Sequence, residues 1–269
     1  MSFHGVAFTL MFFGCCLAAL RRPAFGVFCY ILVYHVYPQT TWWAYEVAWF
    51  GPRYSMTAAV FTGIGFLWNY QKLKSSGPYY GLFDLLGVLF VINMHITPMF
   101  GPGWTLWTKL DLDKMTKVFI FMFLMSHIVV GMKSYRLLVL AFVVSALYLG
   151  HRCDNAPRSA FNMGRLDGIG GPDFREATTL SLHLASMLPL VGIQFLHKGI
   201  GIKALSVVSA AYACQGIILA QGRSAFVGLS AGAAVAVFRS PRGWRGRIAL
   251  AMTLGLIGGY SLTDRKSVG

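Results

Sequence analysis

Apolar runs of about 14 to 18 residues follow one another along almost the whole chain, with short polar or charged segments between them. The runs cover residues 3–20, 24–37, 54–70, 82–98, 118–132, 137–150, 179–196, 204–220, 224–238 and 248–262. Several are shorter than the about 20 residues that an α-helix needs to cross about 30 Å of hydrocarbon, so we expect some to recruit flanking aromatic residues, to thin the bilayer or to be re-entrant. Because backbone hydrogen bonds in lipid must be satisfied inside helices, the pattern predicts an all-α, polytopic integral membrane protein with about ten transmembrane or re-entrant helices in one domain, residues 1–269.

The composition favours the same class of protein. Hydrophobic residues make up 56% of the chain and charged residues only 12%, whereas a soluble domain carries about 25% charged residues. No basic residue precedes the first run, which continues through Arg21 and Arg22 into the second, so a membrane span is favoured over a cleavable signal peptide. Four of the five cysteines fall in apolar runs and fit as small packing residues, while Cys153 is expected in a polar loop.

The positions of Lys and Arg predict the orientation of the spans. If Arg21 and Arg22 are cytoplasmic, strict alternation places four further basic loops on the same side. These loops lie at residues 72–74, 133–136, 198–203 and 239–247. Their only acidic neighbour is Asp84, at the mouth of the fourth span, whereas the other side holds eight of the nine acidic residues. Much of the net charge of +14 is therefore a topology signal beside anionic lipid, and it does not indicate nucleic-acid binding.

One outer loop, predicted at residues 151–178, contains mixed charges that topology does not explain. It holds four arginines, and its stretch "GRLDGIGGPDFREAT" adds three acidic residues and a glycine-rich turn. Glycine lets a backbone approach a ligand closely, and the planar guanidinium fork suits phosphate oxygens. The loop therefore predicts a binding site for an anionic headgroup. The alternative is a solvated loop whose arginines meet lipid phosphates or the neighbouring carboxylates.

Arg223 strengthens the first interpretation. It lies in "LAQGRSAFVGLSAG", at the outer junction of two apolar runs, where a charge costs a few kcal/mol unless it is paired or hydrated. Small residues recur after it at three- or four-residue spacing and predict a face for close helix packing. These residues are Ala225, Gly228, Gly232 and Ala236.

Other candidate residues carry weaker signals. Asp111 and Asp113 have the spacing of a divalent-metal pair, but three lysines crowd them, so no metal site is expected. His95, His127 and His183 are isolated within apolar runs, which favours helix–helix hydrogen bonding over metal binding. The chain contains no nucleophile elbow, phosphate-binding loop or dinucleotide fingerprint, and no cofactor is expected.

Three collinear segments resemble the O-antigen ligase-like family, and in particular the O-glycosylation ligases associated with exosortase systems. They are "LRRPAFGVFCYILVYHVYPQTTWWAYEVAWFGPRYSMTAAV", "GRLDGIGGPDFREATTLSLHLASMLPL" and "LAQGRSAFVGLSAG". The first has an Arg-Pro pair that opens a span and an aromatic outer loop after it. The second leads from an arginine and a glycine-rich turn into a span, and the third resembles the family's Ser-Arg-Gly segment.

This resemblance implies a metal-independent membrane glycosyltransferase of the bacterial inner membrane, with a periplasmic active site. Such an enzyme transfers a glycan from a polyprenyl diphosphate carrier to a lipid or protein acceptor. By the same resemblance, Arg165 and Arg223 bind the diphosphate of the donor. The residues expected to shape the site around them are Gly168, Asp173, Arg175 and Thr178.

The sequence departs from the family pattern in two respects. Thr178 stands where the family commonly has Asn, and Gly222-Arg223-Ser224 replaces the Ser-Arg-Gly order. In addition, the family's large periplasmic loop, with its catalytic histidine, follows a segment like the final "TDRKSVG". We therefore expect the catalytic histidine and the closing spans beyond residue 269, and we expect residues 1–269 alone to be inactive.

Three alternatives stay open at the level of sequence. A polymerase of the same superfamily would show the same motifs. A transporter or flippase of a lipid-linked sugar would also place arginines near the membrane, although internal repeats typical of transporters are not evident. A structural membrane protein would have no specific affinity for polyprenyl diphosphate.

Overall fold

The fold is described from a computed structural model, which describes residues 2–47, 53–74, 81–101, 105–174, 176–195 and 199–239. Within these residues the protein is α-helical apart from short 3-10 turns and one β-hairpin, whose two strands have two residues each. The helices are α1 (Phe3–Arg21), α2 (Ala24–Val36), α3 (Ala44–Val47), α4 (Tyr54–Trp68), α5 (Tyr70–Lys74), α6 (Leu82–Phe100), α7 (Leu106–Ile128), α8 (Met132–Asp154), α9 (Ala177–Phe195), α10 (Ile200–Ala220) and α11 (Arg223–Arg239). The all-α prediction is confirmed.

Each apolar run up to residue 238 overlaps a helix, and the run at 248–262 lies outside the described residues. Hydropathy places some helix ends poorly. Helix α7 begins at Leu106, well before the run at 118–132, because the Thr105 hydroxyl caps it by accepting the Thr108 N–H at 3.1 Å. The intervening charged residues are compatible with a helix although they are not apolar.

Four of the described helices are long and apolar enough to cross a membrane: α1, α6, α8 and α10. These helices mark the chain as a membrane protein. The predicted count of about ten spans is not confirmed by the described residues, and three of the predicted runs show a physical reason. Helix α2 has 13 residues and α4 has 15, lengths of about 20 Å, and the first half of α7 carries five charged side chains.

The chain divides into two compact units. The first comprises Met1–Tyr30 and Phe50–Leu138, and the second Ile31–Trp49 and Val139–Gly269. In the first unit α1 packs on α4. Gly65 permits this contact because it has no Cβ, and a Cβ at this position would clash with the Ala19 carbonyl oxygen. Helices α6 and α7 pair in the same unit, with Asp84 Oδ2 3.7 Å from His127 Nε2.

The second unit has its core between α8, α9 and α10, together with the segment between α8 and α9. Helix α9 packs along α10. Helices α8 and α10 approach at two glycines: a Cβ on Gly150 would lie 2.5 Å from the Tyr212 carbonyl carbon, and one on Gly216 would lie 3.3 Å from Cys153 Sγ. These glycines set the helix separation, as small residues do in membrane bundles.

Cys153 is not in a polar loop as the sequence predicted. It lies in the last turn of α8 and is fully buried. The prediction was wrong because α8 continues to Asp154, past the last apolar residue of its run, so that the cysteine side chain packs against Gly216 in the core.

The small-residue face predicted on α11 is a helix contact only at its beginning. Ala225 is fully buried, and α11 contacts α9. Further along the helix, Gly228, Gly232 and Ala236 are exposed, and a Cβ on either glycine would meet no described atom within 4 Å. The small residues there are not explained by packing within the described part of the chain.

Candidate functional site

The segment between α8 and α9 is a packed cap on the second unit rather than a solvated loop. It forms a 3-10 turn at Arg158–Ala160, an antiparallel hairpin of Phe161–Asn162 with Arg165–Leu166, and a 3-10 turn at Pro172–Phe174. The hairpin turn, Met163-Gly164, has positive φ at both residues (48° and 77°), as a two-residue type I′ turn requires. Leu166, Ile169 and Phe174 belong to the hydrophobic core of this unit.

The acidic residues of this segment bind helix ends and neighbouring helices. Asp167 Oδ1 accepts the N–H of Ala177 at 2.7 Å, which satisfies one of the unpaired donors at the start of α9. Asp173 Oδ2 accepts the Tyr34 hydroxyl of α2 at 2.9 Å. Asp154, at the end of α8, accepts from the Gln215 side chain at 2.6 Å. These hydrogen bonds explain structurally why acidic residues are concentrated in this part of the chain.

Replacement of Asp167 by alanine should destabilise the protein by about 1 kcal/mol, because the first N–H of α9 loses its acceptor. Thermal unfolding of the purified protein in detergent measures the change. Asp167→Asn is the matched control: its side-chain oxygen can still accept the Ala177 N–H, so most of the stability should return. An equal loss in both variants would show that the negative charge of Asp167 stabilises the protein and that its hydrogen bond to the Ala177 N–H does not.

Arg165 lies on the second strand of the hairpin and reaches two helix ends. Its Nη2 donates to the Thr178 hydroxyl of α9 at 3.2 Å, and its Nε donates to the Ala220 carbonyl of α10 at 3.4 Å. Both acceptors are neutral. Within the described residues no carboxylate forms an ion pair with Arg165. The guanidinium group is therefore held in place while its positive charge stays available to an anion.

The turn between α10 and α11 brings Arg223 to the same end of the second unit. Gln221 is left-handed (φ 50°) and donates from its side chain to the Gly164 carbonyl at 3.3 Å, which ties the turn to the hairpin. Arg223 is exposed at the first residue of α11. It follows Ala220, which contacts Arg165, by three residues, a span of at most about 11 Å between Cα atoms.

The four other predicted site residues differ in what they do. Gly168 is exposed with φ +72°, a conformation that favours glycine, so it shapes the backbone of the segment. Thr178 positions Arg165 directly, whereas Asp173 binds Tyr34. Arg175 lies outside the described residues.

The histidines follow the sequence interpretation in part. His183 of α9 is within 2.8 Å of His35 of α2, Nε2 to Nε2, so it connects two helices as predicted. His127 Nε2 lies 3.7 Å from Asp84 Oδ2 of α6, beyond hydrogen-bond distance, and its Nδ1 lies 2.8 Å from the carbonyl of Phe123 in its own helix. His95 likewise places Nδ1 2.9 Å from the carbonyl of Val91 in its own helix. Sequence reasoning missed His35, because its partner is 148 residues away and no short motif joins them.

Asp111 and Asp113 lie two residues apart on α7 and therefore point to different faces of the helix. Asp113 pairs with Lys117 on the next turn. Within the described part of the chain, no three His, Cys, Asp or Glu side chains are arranged to hold a metal ion.

No protein-family model, curated protein or solved structure matches the chain.

Proposed function

We propose that the protein is a metal-independent membrane glycosyltransferase of the O-antigen ligase type. It transfers a glycan from a polyprenyl diphosphate carrier to an acceptor, and Arg165 and Arg223 bind the diphosphate. The observation that carries this proposal is the way in which the structure holds Arg165. Its guanidinium is anchored by a hydroxyl and a carbonyl, with no carboxylate partner among the described residues, at the turn from which Arg223 begins α11.

The arrangement suits an anion more than a cation or a neutral ligand. Two arginines bring two positive charges to one end of the second unit. The N-terminus of α11, a 17-residue helix, adds a partial positive charge at Arg223, the first residue of the helix. A diphosphate has enough oxygens to accept bidentate hydrogen bonds from both guanidinium groups.

These residues also suit the departure of a diphosphate. When the bond between the anomeric carbon and the diphosphate oxygen breaks, negative charge develops on that oxygen. Preorganised guanidinium donors stabilise such charge more than they stabilise the bound donor, and this difference lowers the barrier. Thr178 and Ala220 contribute by holding Arg165 before substrate arrives.

The proposed location is the bacterial inner membrane, which the chain crosses many times, with about ten spans or re-entrant segments. The site faces the periplasm, because alternation from the basic loop at Arg21 and Arg22 puts Arg165 and Arg223 on the non-cytoplasmic side. The partners are the polyprenyl diphosphate-linked glycan, the glycan acceptor and the lipid bilayer.

Binding of undecaprenyl diphosphate tests the proposal. The protein is expressed from its complete gene and purified in nanodiscs, and the Kd is compared for wild type, Arg165→Ala and Arg223→Ala. Each alanine variant should bind about ten- to a hundredfold more weakly, because a hydrogen bond to a charged group contributes about 1.5–3 kcal/mol. The same variants should lose glycan attachment in cells.

Arg158→Ala is the matched control. Arg158 is an exposed arginine of the same segment, placed on its first 3-10 turn, and its replacement removes the same charge. Its Kd should stay within about twofold of wild type. Wild-type binding by Arg165→Ala and Arg223→Ala would overturn the assigned roles. Movement of the lipid-linked glycan across liposomes without any attachment would favour a flippase.

A further inference from the structure

Helix α6 of the first unit has one long face that the described residues leave uncovered. The helix packs on α7, where the rings of Phe90 and Phe119 lie 5.1 Å apart, centroid to centroid. None of the 19 residues of α6 is buried against other described residues. Because α6 is long and apolar enough to cross a membrane, its uncovered face meets either lipid or another helix.

The uncovered face carries a heptad pattern. Six exposed residues follow one another at alternating spacings of four and three, which are the a and d spacings of a coiled coil. They are Leu82, Leu86, Leu89, Asn93, Ile96 and Phe100. At 3.6 residues per turn they fall within an arc of about 80°, and half-buried residues such as Gly87 and Met94 lie on the opposite side of the helix. We refer to the six side chains as the α6 seam.

Asn93 is the polar member of the α6 seam, and its amide nitrogen has no acceptor among the described residues. Thr97, one turn further on, donates to the Asn93 side-chain oxygen at 3.1 Å, and Nδ2 forms no hydrogen bond within the described part of the chain. Asn93 is the twelfth residue of the 19 in α6, close to the middle of a spanning helix. No water is at hand there to accept from the amide, so the acceptor has to come from another helix.

A second copy of α6 supplies that acceptor. A side-chain amide both donates and accepts, so two Asn93 side chains that meet can satisfy each other. Copies of a membrane protein insert in the same orientation, so a two-fold axis along the membrane normal makes the two α6 helices parallel. In a parallel pair each a position meets the a position of the partner, which brings Asn93 to Asn93. An antiparallel pair would place the amide against an apolar d position.

We propose that the protein forms a parallel dimer through the α6 seam, with the two Asn93 side chains hydrogen-bonded across the two-fold axis. The apolar side chains of the seam gain little from leaving lipid, so they contribute close packing and the amides contribute directional attraction. A single Asn at an a position also specifies register and oligomeric state in coiled coils. The inference does not depend on the proposed glycosyl transfer, because it uses residues of α6 alone.

Dimerisation in a lipid bilayer tests the inference. The protein is expressed from its complete gene, labelled with a donor or an acceptor fluorophore and reconstituted into liposomes, and energy transfer at rising protein-to-lipid ratios gives the dimer dissociation constant. Asn93→Leu should weaken the dimer about five- to thirtyfold, the loss that corresponds to one interhelical hydrogen bond in model helices. Asn93→Gln keeps a side-chain amide and should dimerise within about threefold of wild type.

The fold of the single copy should not change in these variants. Among the described residues the Asn93 side chain forms its hydrogen bond with Thr97 of the same helix. Thermal unfolding of dilute Asn93→Leu protein in detergent should therefore match that of wild type, which separates a loss of association from a loss of folding.

Cysteine crosslinking locates the interface. Leu89→Cys places a thiol on the α6 seam, and Val88→Cys places one at nearly the same depth but off the seam. The two positions are equally exposed, at 51% and 52%. Oxidation in membranes should convert Leu89→Cys into a species of twice the mass. Val88→Cys should stay at the background of wild type, whose five cysteines all lie outside α6.

Three results would overturn the inference: a monomeric wild type in liposomes, a dimer that Asn93→Leu leaves unchanged, and equal crosslinking of the two cysteine variants. A fluorophore on Leu89→Cys then identifies what covers the face instead. Quenching by brominated lipid would show that it meets lipid, and protection from quenching in a monomer would show that a further segment of the chain covers it. Binding of undecaprenyl diphosphate, measured on the same samples, reports on the proposed function separately.

Discussion

A valine at position 150 should prevent the second unit from folding. Gly150 of α8 lies against the backbone of α10, where a Cβ would be 2.5 Å from both the carbonyl carbon and the carbonyl oxygen of Tyr212. Backbone atoms of a helix cannot move aside as a flexible side chain can, so the two helices must separate. Overpacking alone costs about 1–3 kcal/mol, and separation would also expose the core around Leu149 and Cys153.

The yield of monodisperse protein after detergent extraction measures this effect. Gly192→Val is the matched control, because Gly192 is also helical, on α9, and a Cβ there would meet no described atom within 4 Å. It should be recovered in wild-type amounts. Recovery of folded Gly150→Val protein at the level of Gly192→Val would contradict the close contact between α8 and α10.

An alanine at position 222 should weaken both stability and diphosphate binding. Gly222 immediately precedes Arg223, and a Cβ there would collide with the Ser181 hydroxyl and lie 2.6 Å from Ser181 Cβ. The α10–α11 turn would have to move away from α9, and Arg223 would move with it. We expect a loss of about 1–3 kcal/mol in stability and, if Arg223 binds the diphosphate, at least a tenfold weaker Kd for undecaprenyl diphosphate.

A second substitution provides the internal control for this prediction. Ser181→Gly removes the atoms that the new methyl group would meet, so the double variant Gly222→Ala/Ser181→Gly should recover binding relative to Gly222→Ala alone. Gly228→Ala, on the helix that follows Gly222 and with no described atom within 4 Å of the added Cβ, should behave like wild type. Additive losses in the double variant would mean that the two positions do not touch.

The helices were predictable because hydrophobic runs are a local property of the sequence. Helix α10 ends at Ala220, where its run ends, and α11 begins at Arg223, one residue before its run. The ends of α7 and α8 were not predictable in this way, because charged residues continue a helix without contributing to hydropathy. Cys153 was misplaced for that reason.

The site was predictable only as a list of residue types. The scarcity of charge in the chain singled out Arg165 and Arg223. Thr178, one partner of Arg165, was among the predicted residues, but Ala220 could not be read from the sequence, because it contributes a backbone carbonyl, which any residue would provide. The hydrogen bond between His35 and His183 joins positions 148 residues apart, and only the packing of α2 against α9 brings them together.

The hairpin that carries Arg165 has a consequence for biosynthesis. Its anchors at Ala220 and Gln221 are 55 and 57 residues further along the chain than their partners Arg165 and Gly164. Chains emerge from the ribosome N-terminus first. Arg165 is therefore synthesised and delivered to the membrane before the carbonyl that anchors it exists, and the segment acquires its final conformation only after the end of α10 has been translated.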